Sequence, residues 1–155
     1  RVNGVGGDTL ERGSYLCLTR EWRKGDVVEV ALPMPVRRMA SHPRVAANTG
    51  RVALARGPLI YCLEGVDHPG VNLFDLTLPT GGELVARHER HALGGVTVIH
   101  GEGLEIRPDS WNGQLYRTDG ESESATPRPV ALTAVPYFAW ANRSSGQMQV
   151  WSRSR

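Results

Sequence analysis

Lysine is almost missing from this chain: of 18 basic residues, 17 are Arg and only Lys24 is Lys. An Arg-rich chain that is also rich in Gly and Ala fits a genome rich in G and C, so its arginines are weak evidence for nucleic-acid binding. They are scattered, with Arg37-Arg38 the sole internal doublet, and no basic stripe interleaves with aromatics. With a net charge of +2, no nucleic-acid partner is expected. Cysteine is scarce as well, at two residues, which excludes a disulfide-rich secreted scaffold. Cys17 and Cys62 each sit in an apolar, strand-like run. Two buried thiols are the ordinary reading, and one disulfide is the alternative if the strands are neighbours.

Long apolar runs are absent. No segment approaches the ~20 residues of a transmembrane helix, so no membrane partner is expected. The start, Arg1-Val2-Asn3-Gly4, has neither Met nor an apolar signal segment. The expectation is a piece of a longer protein, with the cytoplasm favoured. Catalytic signatures are missing too: no G-x-S-x-G, no P-loop lysine motif, no H-E-x-x-H and no C-x-x-C. Gly4-Val5-Gly6-Gly7 is followed by no helical segment and is not a phosphate cradle. No sustained 3.6-residue period occurs, so few or no helices are expected.

What the chain does have is turns and alternation. Gly (18) and Pro (10) are abundant without a period, the pattern of short strands joined by tight turns. Ser14 to Trp22 and Val27 to Leu32 alternate around Arg23-Lys24-Gly25-Asp26, which predicts a β-hairpin with Gly25 at positive φ. Leu16, Leu18, Val28 and Val30 form its inward face. Residues 36–49 read as a connector. Gly50 to Gly65 then reads as strand, turn, strand. Its second half is apolar on both faces, with Leu59, Tyr61 and Leu63 opposite Ile60 and Cys62, as in a strand covered above and below. The residues of 83–91 suit an exposed strand or a short helix, and Val96 to Ile99 a strand. In the apolar run Val130 to Trp140, Pro136 predicts a bend or an edge. The class is therefore all-β: an antiparallel, jelly-roll-like β-sandwich.

Candidate chemistry is thin. His88 and His91 would share a face only on a helix; on a strand they are a solvated surface pair. Glu64, Asp75, Glu102 and Glu105 are the carboxylates from which a glycosidase would draw an acid and a base, and nothing singles out a pair. Glu64 closes an apolar strand and needs a partner, for which Arg56 is one candidate; a structural ion pair is the simplest role. Trp111 and Tyr116 flank Asn112-Gly113-Gln114-Leu115, the mixture of aromatics and amides that a sugar binder uses. They are the candidate sugar contacts, against an ordinary role as core or interface residues.

Three stretches together resemble glycoside hydrolase family 127, the β-L-arabinofuranosidase-like proteins, in the region after the catalytic barrel. They are Arg20 to Arg38, Gly50 to Glu64, and Leu132 to Arg143 followed by Met148-Gln149-Val150-Trp151. In that family a large (α/α)6 barrel precedes two β-sandwiches and holds a zinc-bound cysteine nucleophile and glutamates. The resemblance implies that residues 1–40 are the tail of a first sandwich and 41–155 the second. None of the barrel motifs occurs here, and Cys17 and Cys62 do not match the adjacent ligand cysteines, so no catalytic residue and no cofactor is assigned to this chain. Zinc is expected only in the barrel. The implied role is non-catalytic support of that barrel, with self-association; the alternative is a carbohydrate-binding module.

Overall fold

The computed structural model describes residues 1–6, 15–107, 114–116, 118 and 126–155, and the chain divides into two units, Arg1–Pro33 and Met34–Arg155.

The first unit is organised by one turn. Asn3 and Asp26 knit it: the Asn3 amide group donates to Asp26 Oδ1 at 2.9 Å, the Arg23 N–H donates to Asp26 Oδ2 at 2.9 Å, and Val27 N–H donates to Asn3 Oδ1 at 2.9 Å. Gly25 takes φ 97°, as expected of the turn. The hairpin predicted around it does not form among the described residues, where a single bridge joins Val2 to Val28. The physical reason lies in the missing cover: Val28 is 49 % exposed, Val30 68 % and Leu32 73 %. Two strands with no apolar layer behind them are at best marginal. Cys17 is exposed here, so only Cys62 fits the buried-thiol reading, and both are free.

The second unit is all-β, with single turns of 3-10 helix as its only described helical structure. Its strands are β1 (Val36–Ala40), β2 (Arg51–Arg56), β3 (Leu59–Glu64), β4 (Leu76–Leu78), β5 (Leu84–Glu89), β6 (Val96–Glu105), β7 (Arg128–Pro136), β8 (Met148–Gln149) and β9 (Ser152–Ser154). Within 36–49, read as a connector with room for a short extended segment and a turn, residues 36–40 form an edge strand paired with β2. The 83–91 segment is a strand, paired antiparallel with β6. Pro136 ends β7 opposite Tyr61, and a 3-10 turn follows.

The central hairpin forms as predicted. Arg56 pairs with Leu59 across Gly57-Pro58, with Gly57 at φ 56°. A glycine first in a two-residue turn gives the twist that hairpin strands need. The hairpin then splays, and the C-terminal segment enters the fork: β8 pairs with the end of β3 and β9 with the start of β2. From β9 the pairing passes to β4, β6, β7 and back to β3, which closes the sheet into a ring. β4 and β9 run parallel, the one departure from an antiparallel plan among the described strands.

Inside the ring lie Leu54, Tyr61, Leu63, Leu73, Leu76, Leu78, Ile99 and Leu132 with Ala134. Each large apolar side chain buried in this way contributes about 2 kcal/mol. Cys62 points to the other face, with Val96, Val98 and Val135. Strand β3 is therefore covered on both faces along Tyr61 to Glu64, whereas Ile60, expected to be covered, is 41 % exposed. At Gly101 a Cβ would lie 2.8 Å from Leu84 and 2.9 Å from the Glu83 carbonyl, so the close approach of β5 and β6 requires glycine there.

Candidate functional site

Of the two candidate sugar contacts, Trp111 lies outside the described residues. Tyr116 stands 89 % exposed. The histidine pair is split by the strand end: His88 is on β5 and His91 in the turn beyond it, both exposed. Among the described residues no group of three or more His, Cys, Asp and Glu is placed to hold a metal. Burial, reinforced by the nearby Glu64 carboxylate, pushes the Cys62 thiol up to about 12, so the thiolate that a metal needs is disfavoured.

The densest polar arrangement surrounds Glu64, at the end of β3. Its carboxylate is almost fully buried. Oε2 accepts from Arg143 at 2.5 Å and Oε1 accepts from the Ala141 N–H at 3.1 Å. Arg143 also grips Asp67 with two bonds of 2.6 Å. Asp67 foremost, with Glu64 adding and burial opposing, raises the Arg143 pKa above its ordinary value. The guanidinium is therefore locked in its charged form between two carboxylates. The structural ion pair foreseen for Glu64 exists, but its partner is Arg143, 79 positions along the chain, rather than Arg56.

His68 completes this corner. It is 2 % exposed, and its Nε2 accepts the Thr133 N–H at 3.2 Å. An N–H can only donate, so the ring proton sits on Nδ1, which donates to the Glu64 carbonyl at 2.8 Å. Both ring nitrogens are thereby consumed in joining β3 to β7.

These bonds fix the segment after β7. Ala141 adopts φ 62°, a strained value for a residue with a Cβ, and its N–H is the group that Glu64 binds. The Asn142 side chain donates to the carbonyls of Ala139 at 3.0 Å and Trp140 at 3.3 Å. What the corner presents is apolar: Tyr137, Phe138 and Trp140 are 46 %, 66 % and 41 % exposed. Tyr137 and Trp140 stack with centroids 5.9 Å apart and planes 16° from parallel. Two of the four carboxylates considered for glycoside hydrolysis are taken by arginine. Glu64 holds Arg143, and Glu105 is bound by Arg128 at 2.5 Å and Arg107 at 3.0 Å. Burial works against the Glu105 charge, yet the two arginines hold its carboxyl below the ordinary range. Glu105 is therefore not poised to exchange a proton near neutral pH. The corner is a rigid aromatic ledge, suited to contact rather than to acid–base chemistry.

Sequence reasoning missed the ledge and its lock. The Leu132–Arg143 stretch was conspicuous, but no local pattern pairs Glu64 with Arg143 or sets Ala141 at positive φ.

Comparison with known proteins places both units. Residues 36–153 match the model of the glycoside hydrolase family 127 C-terminal domain, and residues 1–34 that of the β-L-arabinofuranosidase GH127 middle domain. A non-reducing end β-L-arabinofuranosidase of Bifidobacterium longum subsp. longum is 36 % identical over 134 residues, which are 83 % of this chain and 20 % of that protein. Among solved structures, a GH127 β-L-arabinofuranosidase from Geobacillus stearothermophilus T6 is 44 % identical with a TM-score of 0.69, over 79 % of this chain and 19 % of that one. A GH127 β-arabinofuranosidase matches all of this chain at 32 % identity and TM-score 0.82, covering 23 % of its own length. The chain thus spans about a fifth of the length of the relatives it matches.

Proposed function

Because the chain belongs to glycoside hydrolase family 127, with residues 36–153 matching its C-terminal domain, we propose that it is a non-catalytic portion of a β-L-arabinofuranosidase-like enzyme. The substrate, the zinc and the reacting groups belong to an (α/α)6 barrel elsewhere in the longer protein. The second unit docks on the rest of that polypeptide through Tyr137, Phe138 and Trp140. The observation that carries this reading is the ledge itself. Three large aromatics are held at the surface by a part-buried ion pair, in a chain that spans only a fifth of its relatives' length. Fixed aromatics of this kind are typical anchors of a stable interface. The exposed Leu16, Val28, Val30 and Leu32 of the first unit belong against the missing part of their own domain. In the 155-residue chain they drive self-association.

The test has three readouts. The purified chain gives no turnover of β-L-arabinofuranosides; clear hydrolysis overturns the proposal. Phe138→Ser, at the most exposed of the three aromatics, lowers the thermal midpoint of the longer enzyme by more than that of the 155-residue chain; an equal effect in both, or in neither, removes the docking role. Light scattering at high concentration finds the chain associated, and a strictly monomeric particle contradicts that part. Saturable binding of arabinose oligosaccharides by the chain would favour a carbohydrate-binding module in its place.

A further inference from the structure

At the junction of β2, β9 and β4, away from the aromatic ledge, an open cavity of about 410 Å³ is lined by Arg51, Arg153, Arg155, Thr49, Thr77 and Ser154 among others. None of its lining side chains is acidic. Arg51 and Arg153 are directly opposed in the antiparallel pairing of β2 with β9, and Thr77 is opposed to Arg153 on the other side. Like charges opposite one another on neighbouring strands destabilise a sheet. The usual remedy is a carboxylate between them, and no ion pair to either arginine exists among the described residues. Arg51 spends one N–H on the Trp151 carbonyl at 3.0 Å, which steadies its guanidinium and leaves its other donors open.

We propose that this cavity binds a small multi-oxygen anion, either free phosphate or sulfate or the carboxylate of an acidic sugar. The chemistry matches the residues. Arginine forks bind two oxygens of one anion at once, and the neighbouring hydroxyls supply further donors. An anion between Arg51 and Arg153 converts a repulsive cross-strand pair into a bridge. It thereby fastens β9 to β2, one of the pairings that close the ring.

The experiment uses the 155-residue chain and thermal unfolding in rising sodium phosphate, sodium sulfate and sodium glucuronate, each against sodium chloride at equal ionic strength. The midpoint rises saturably with an oxyanion and not with chloride. Calorimetry of phosphate binding gives a dissociation constant that weakens about tenfold or more in Arg153→Gln. Arg153 is exposed, so that variant keeps the fold; Arg37→Gln, an arginine outside the cavity, serves as control and binds as the wild type. Tighter binding of glucuronate than of phosphate identifies a sugar-borne carboxylate as the ligand, and the reverse order a free ion. A shift matched by chloride, a shift that never saturates, or one that survives in Arg153→Gln overturns the site.

Discussion

Val27 to Leu32 and Val96 to Glu105 are both strand-like by composition, and they end up in opposite conditions. In the second unit Val96, Val98 and Ile99 are 8 % exposed or less, and their strand carries partners on both edges. In the first, Val28, Val30 and Leu32 are about half exposed or more and make one isolated bridge. The difference is not propensity, since valine and leucine are comparable in both. It is whether a second apolar layer exists to receive the inward face. Alternation calls for cover, and among the described residues the answering strands all lie in 34–155.

The sharpest way to break this comparison is to remove one large apolar side chain from each region. Leu76→Ala, at a fully buried position, is expected to cost about 4 kcal/mol in urea unfolding. Leu32→Ala should stay within about 0.5 kcal/mol. Equal costs would mean that the first unit has a core of its own. A somewhat smaller effect belongs to the ion pair at the ledge. Arg143→Met leaves the Glu64 carboxylate buried and unpaired, for an expected loss of about 3 kcal/mol. Adding Glu64→Gln should restore much of it, and a double change as damaging as the sum of the two single ones would show that the pair is not coupled.

The smallest expected effect is on acid stability. Glu105 has its pKa lowered from an ordinary 4.5 in the folded state. The stability it contributes is complete above that ordinary value and is lost as pH falls through the folded one. Urea midpoints of the wild type should therefore fall more steeply than those of Glu105→Gln on going from neutral pH to about pH 3. Asp26 is also held low, by Asn3 first, but in an exposed turn. Asp26→Asn should leave the unfolding curve of the second unit unmoved; a shift as large as that of Glu105→Gln would erase the contrast between the regions.

Local chemistry explains which parts of this structure were readable in advance. The Gly57-Pro58 turn, the stop at Pro136 and the double-faced burial of Tyr61 to Leu63 follow from dihedral limits and from alternation over a few residues. The all-β class followed from the same signals. Partners distant in sequence were not readable. Glu64 reaches Arg143 rather than the nearer Arg56 because β3, β7 and β8 are brought together by the sheet, and no spacing rule encodes that meeting. The splay of the central hairpin was hidden for the same reason, since it depends on a segment nearly a hundred residues later. The hairpin expected in the first unit failed for the converse reason: its local signals were good, and nothing behind them supplied a layer.

The late arrival of β9 has a consequence for how the protein is made. Strands β2 to β7 emerge from the ribosome with a gap between β2 and β4 that only Ser152–Ser154 can fill. Until then, unpaired strand edges face the crowded cytosol or the translocation channel, where such edges recruit other chains. Synthesis of Ser152–Ser154 is therefore the committing step for the domain. A stalled or prematurely stopped message should yield an aggregation-prone nascent chain rather than a slightly shortened, serviceable one.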